Sequence, residues 1–221
     1  MEQNRLSKQS DVKRMVLMGV FAALAYVAVA LIRIPAVAFL KYEPKDVIIT
    51  IGGFILGPMS TVIVSGVVAL IEMFTISETG PIGCVMNMLS SCCYCSVAAL
   101  VYHQRRTIGG AIKGLCLGSV LMVAVMLLWN WLITPLYMGV SRDAVVGMLV
   151  PTFLPFNAVK ALLNSALVLC LYKPLITALR KARLVAAPSG GKRSIKPGIY
   201  LLAGAVLATG VLLLLVLQGK I

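Results

Sequence analysis

The chain has 221 residues, of which 60% are apolar and only 12% charged, with a mean hydropathy of +0.99. Soluble domains carry about twice that share of charge, so a soluble enzyme and a secreted disulfide domain are both excluded. The net charge of +13 does not mark a nucleic-acid protein, because the Lys and Arg residues cluster in the connections between apolar runs rather than on one face. That distribution is how cytoplasmic loops of membrane proteins look.

Uncharged runs long enough to cross a bilayer, roughly 18–25 residues each, cover most of the sequence. The N-terminal Arg5, Lys8, Lys13 and Arg14 precede the run Met15–Ile32. That run exceeds the 7–15 apolar residues of a signal peptide and reads as a retained first helix. Val47–Ile71 is either one tilted helix or two helices broken at Gly57-Pro58. With the N-terminus cytoplasmic, a single helix leaves six Lys/Arg inside and thirteen outside, whereas the break gives fourteen inside and five outside. The positive-inside rule selects the break, and Gly-Pro is a turn signal. Seven helices are therefore expected, at about 14–34, 47–57, 59–76, 82–103, 112–134, 155–178 and 198–218. The second, at about 16 Å, is too short to cross alone and has to hide its ends against protein or a cavity.

The domain expectation is a membrane bundle over 1–183, a cytoplasmic Pro/Gly/Ser/Lys linker over 184–197 and an additional helix over 198–221. The N-terminus is expected in the cytoplasm and the C-terminus outside. No internal repeat is visible. The outer loop 35–46 and the stretch 144–155 are expected to cover a cavity from outside.

Polar side chains inside lipid are costly and tend to be functional. Asn130 lies seventeen residues beyond cytoplasmic Lys113, about 25 Å up a helix. Asn87, Asn157 and Lys160 fall early in helices entering from outside. These four, from three helices, should meet at one level near the outer surface. Asn157, Lys160 and Asn164 share a face through i, i+3, i+7 spacing. A lone Asn is commonly interhelical glue, but an ammonium in hydrocarbon needs water, a partner or a ligand. Amides with one ammonium, and no carboxylate at this depth except Glu72, suit a neutral or weakly anionic ligand rich in carbonyls, ring nitrogens and hydroxyls. Trp129 and Trp131 are candidates for a flat apolar wall or for interfacial belt residues. The six cysteines, Cys92-x-x-Cys95 included, lie in apolar runs and read as packing residues. With one histidine (His103) in the chain, no metal shell is expected. No phosphate-binding loop occurs, and no nucleophile–base pair lies at one depth, so no enzymatic activity is expected and energy for transport must come from elsewhere.

The strings FLKYEPKD (39–46), IGGFILGP (51–58), LIEMFTISETGPIG (70–83), LLWNWLITPLYMGV (127–140) and LPFNAVKALLN (154–164) resemble the riboflavin-specific S component of energy-coupling factor (ECF) transporters, over about residues 12–182. The resemblance implies an all-α membrane protein, a six-helix bundle with a short second helix, to which this chain adds a C-terminal transmembrane helix. It further implies a bacterial plasma-membrane protein that binds riboflavin from outside, as cargo and not as a cofactor. Its partners would be a transmembrane T subunit and two cytoplasmic ATPases. By position, Asn130, Asn157 and Lys160 match polar flavin contacts, and Leu40, Lys41 and Tyr42 match the loop that closes over the ligand. Gly19-x-x-x-Ala23 is the nearest match to the small-residue face that meets the T subunit. An S component for another vitamin or a flavin analogue, an intramembrane enzyme and a free-standing facilitator remain as alternatives.

Overall fold

The computed structural model describes residues 2–37, 40–181 and 197–220. Helix α1 (Glu2–Leu31) leads into an antiparallel hairpin of β1 (Ile34–Val37) and β2 (Leu40–Tyr42). Helices α2 (Lys45–Leu56) and α3 (Pro58–Thr75) follow. Next, α4 (Gly80–Ser91), a π-helical turn (Cys92–Ser96) and α5 (Val97–Arg105) succeed one another. Then come α6 (Ile108–Met138) and α7 (Arg142–Met148), with a second π-helical turn (Leu149–Phe153) joining α7 to α8 (Leu154–Lys181). Helix α9 (Pro197–Leu217) ends the described chain. Among the described residues, five helical segments are long and apolar enough to cross a membrane: Asp11–Leu31, Pro58–Thr75, Gly80–Arg105, Ile108–Met138 and Arg142–Leu175. The fold is an all-α bundle with a short second helix and an extra C-terminal helix. The linker expected over 184–197 falls, but for its last residue, outside the described residues.

The break between α2 and α3 has a local cause. Gly57 sits at φ +102°, a conformation that side-chain-bearing residues rarely adopt. Its N–H closes α2 on the Gly53 carbonyl at 2.8 Å, and Pro58 starts α3 at the position where a missing N–H does no harm. At twelve residues, α2 is about 18 Å long. It is wedged into the bundle by its glycine pair. A Cβ on Gly52 would lie 2.9 Å from the Phe21 ring of α1, and one on Gly53 would meet Thr61 of α3 and Ala99 of α5. Gly114 and Gly118 likewise bring α6 onto the backbone of Ala98 and Tyr94, at 2.7 and 2.5 Å from a hypothetical Cβ. Small residues at i, i+4 let membrane helices approach closely.

Three elements depart from the expected ones. The outer segment after α1 is a hairpin rather than a loop, with Pro35 paired opposite Lys41. Pro35 has no N–H to lose, which suits a strand edge. The covering stretch 144–155 is itself largely helical, in α7 and the π-turn. Helix α6 continues through Pro135 to Met138.

Two apolar clusters result. One fills the bundle centre around Phe21, Ile51, Phe54, Tyr94, Leu115 and Met122. The other ties the hairpin (Ala36, Leu40, Tyr42) to Val145, Phe153, Phe156, Leu163 and, from α9, Leu214. Helix α9 packs along α8, with Gly210 against Leu163. Its last turn reaches the hairpin, where the Gln218 side-chain amide donates to the Pro35 carbonyl.

Candidate functional site

A cavity of about 670 Å3, open solvent at its mouth included, lies between the hairpin and the helices. Arg33, Leu40, Lys41 and Glu43 face it from the hairpin and its flanks, and Glu78 and Thr79 from the α3–α4 turn. Helix α4 contributes Met86, Asn87 and Ser90, α6 contributes Met126 and Asn130, and α8 contributes Phe156, Asn157 and Lys160. Of the seven ligand residues expected from sequence, six are brought together here. Tyr42 is not one of them. Its hydroxyl is buried behind the wall, where it donates to Asn164 Oδ1 at 3.0 Å. Burial first, and the Asp46 carboxylate second, push the Tyr42 phenol well above its ordinary value.

The three wall amides are each anchored from behind. Asn130 Nδ2 donates to the Met126 carbonyl at 2.7 Å, and its Oδ1 accepts from Thr134 at 2.9 Å. Asn157 Nδ2 donates to the Phe153 carbonyl at 2.8 Å, and Asn87 Nδ2 donates to Glu72 Oε2 at 3.2 Å. With one N–H of each amide engaged in this way, the rings of donors and acceptors they present are fixed in orientation. Fixed amides beside apolar Met86, Met126 and Phe156 suit a flat ligand that both donates and accepts hydrogen bonds.

The expectation that this level lacks a carboxylate cluster is overturned. Glu43, Asp46 and Glu72 are all buried, at 5%, 0% and 2% exposure. Lys160, expected as an ammonium facing the ligand, lines the cavity and is also paired from behind. Its Nζ lies 3.3 Å from Asp46 Oδ2 and donates to Ser90 Oγ at 3.4 Å. Asp46 is the hub of this arrangement. Oδ1 accepts from Ser91 at 2.5 Å and Oδ2 from Asn164 at 3.3 Å, joining α2, α4 and α8. A second group links Lys45 to Glu72 at 2.5 Å and to Glu43 at 3.1 Å, and Arg33 to Glu43 at 3.0 Å. Burial opposes charge on Glu43, but Lys45, Lys160 and Arg33 together outweigh it and hold the carboxyl below the usual range. At the mouth, Lys41 meets Glu78 at 2.6 Å; that hydrogen bond, with the ammonium charge behind it, lowers the Glu78 carboxyl as well.

Sequence reasoning missed Glu43 and Asp46 because both fall in what read as an outer loop. Their charge alternation with Lys41 and Lys45 (KYEPKD) was the available signal. It also missed Ser90, which lies i+3 from Asn87 and so on the same face of α4. The two tryptophans separate. Trp129 lines a smaller recess that shares Thr79 and Met86 with the main cavity. Trp131 faces outward, with the Arg142 guanidinium 5.2 Å from its ring centre. Among the described residues, the cysteines are free thiols and no group of three His, Cys, Asp or Glu is placed to hold a metal ion. On α1, Gly19 and Ala23 are exposed, on the face opposite buried Phe21, Ala25 and Val29.

Comparison with known proteins bears directly on this geometry. Residues 13–172 match the family described as the ECF transporter substrate-specific component. The chain belongs to this family. It is 25% identical over 188 residues to the riboflavin transporter RibU of Staphylococcus aureus (strain TCH60), covering 81% of this chain and 98% of the relative. A solved S component of a bacterial ECF transporter superposes with a TM-score of 0.65 at 25% identity, covering 77% of this chain and 99% of that structure. This S component is thus a multi-pass membrane protein of a substrate-specific transport family rather than of an enzyme family. Its helix α9 lies beyond the stretch that matches the family.

Proposed function

We propose that this S component binds riboflavin with high affinity in the cavity beneath the hairpin. It presents the vitamin to a T subunit energised by two cytoplasmic ATPases in a bacterial plasma membrane. The observation that carries the reading is the convergence of Asn87, Asn130, Asn157 and Lys160 on one cavity with Met86, Met126 and Phe156 beside them. Burial of a tricyclic ring there would contribute roughly 25 cal/mol per Å2 of apolar area, while the anchored amides fix which edge of the ring faces which wall. The RibU relative supports flavin over other vitamins. A flavin analogue offers the same edge chemistry and is the second reading. The cavity opens on the side of the hairpin, and with the N-terminus cytoplasmic this is the outer side. The exposed Gly19 and Ala23 of α1 then serve as the face for the T subunit.

Purified protein titrated into riboflavin should quench flavin fluorescence and saturate at one flavin per chain. Absence of quenching at micromolar protein overturns the proposal. Tighter binding of an analogue than of riboflavin favours the second reading.

A further inference from the structure

The hairpin consists of strands of four and three residues. A pair this short is marginally stable by itself, so what packs on its two sides decides its position. On the cavity side stand the ion pairs Arg33–Glu43 and Lys41–Glu78, at 3.0 and 2.6 Å. The rear is held in part by α9. Leu214 is buried with Ala36, Leu40 and Tyr42, and Leu207 and Leu217 pack against the same cluster. The end of α9 is shaped for one further contact. Gly219 turns into the left-handed region at φ +67°, and the Lys220 N–H returns to the Leu215 carbonyl at 3.1 Å, the geometry in which a glycine closes a helix. Gln218 precedes that turn, and its side-chain amide donates to the Pro35 carbonyl of β1. Among the described residues lining the cavity, none belongs to α9.

We propose that α9 is a strap on the rear of the hairpin, with Gln218 and Leu214 as its positioning residues, and that it sets how fast the cavity exchanges its ligand rather than how tightly it binds. A helix that touches the hairpin and not the ligand stabilises the seated hairpin equally whether the cavity is filled or empty. It therefore does not shift the balance between those two states. It does raise the cost of lifting the hairpin in both, so entry and exit slow by one common factor. The ion pairs on the cavity side lack this property, because their members also face the ligand. Helix α9 lies beyond residues 13–172, which match the family, so the strap is an addition to the shared bundle.

The test compares full-length Gln218→Ala with the parent in detergent micelles. Stopped-flow fluorescence with riboflavin gives the association and dissociation rates. Both should rise about threefold, as expected for loss of one partly exposed hydrogen bond, while their ratio stays within about twofold of the parent's. Thr209→Ala is the control, since Thr209 is exposed and bonds within α9 to the Ala205 carbonyl; it should leave both rates unchanged. Unchanged rates in Gln218→Ala overturn the proposal. So does faster dissociation without faster association, because α9 would then control affinity, and so does an equal effect of Thr209→Ala. The rate measurement rests on the flavin reading above, and a second measurement does not. Hydrogen exchange of the amides of residues 34–37 and 40–42 in the ligand-free protein should also speed up about threefold in Gln218→Ala. Equal exchange in variant and parent overturns the strap. Failure of riboflavin to quench, with exchange accelerated, overturns the flavin reading and leaves the strap standing.

Discussion

Asn157 and Lys160 lie one turn apart on α8 and face the same space, but they are held differently, and their replacement should separate binding from stability. Among the described residues, Asn157 is tied to a carbonyl of the preceding turn. Loss of a neutral hydrogen bond costs about 0.5–1.5 kcal/mol, so Asn157→Leu should weaken flavin binding by up to about tenfold with a melting temperature close to that of the parent. Lys160 also neutralises Asp46. Removing one partner of a buried pair costs about 3–5 kcal/mol, so Lys160→Met should lower both flavin affinity and the melting temperature. Titration and melting on one preparation check both variants. An unchanged melting temperature in Lys160→Met would reject the structural half of its role. The helix face carrying Asn157, Lys160 and Asn164 was legible from spacing alone. Asp46, 118 residues from Asn164 in sequence, was not, because nothing local to a loop carboxylate reports that the loop folds inward.

The Gly57-Pro58 break was legible because charge parity and turn chemistry agree on it. The hairpin and α7 were not. Pro35, Pro151 and Pro155 make both stretches read as loops, and it is tertiary packing in the second apolar cluster that orders them. Helix α9 shows the same limit. Its sequence carries no charged residue and, Tyr200 and Thr209 aside, only apolar ones, yet its placement ties it to the hairpin. Leu214 joins Ala36, Leu40 and Tyr42 in that cluster, and Gln218 holds the Pro35 carbonyl. Gly210 makes this possible, since a Cβ there would lie 2.7 Å from Leu163 Cδ2. Gly210→Leu should lift α9 from α8 and loosen the hairpin. Overpacking of about 1 kcal/mol corresponds to flavin dissociation about fivefold faster, measurable by stopped-flow fluorescence. A dissociation rate equal to the parent's would show that the hairpin holds without α9.

For the whole molecule, the proposed docking face for a T subunit is one exposed side of α1. Val12, Val16 and Val27 stand exposed in line with Gly19 and Ala23, and nothing lies within 4 Å of the place a Gly19 side chain would take. Small residues on such a face let another helix come close. A Gly19→Trp, Ala23→Trp double variant should therefore abolish riboflavin uptake by cells carrying the T and ATPase subunits while the purified variant binds flavin as the parent does. Normal uptake would end the assignment of that face. The paired charges around the cavity also bear on the membrane voltage. A charge displaced across a membrane exchanges about 2.3 kcal/mol with each 100 mV of potential. An inside-negative voltage would thus oppose entry of a dianion by roughly twice that amount. A wall in which Arg33, Lys41, Lys45 and Lys160 are each matched by a carboxylate, carrying an uncharged cargo, presents no net charge to that field. On the riboflavin reading, passage of that cargo should be electrically silent, and uptake by cells that lose their membrane voltage but keep their ATP should be unchanged.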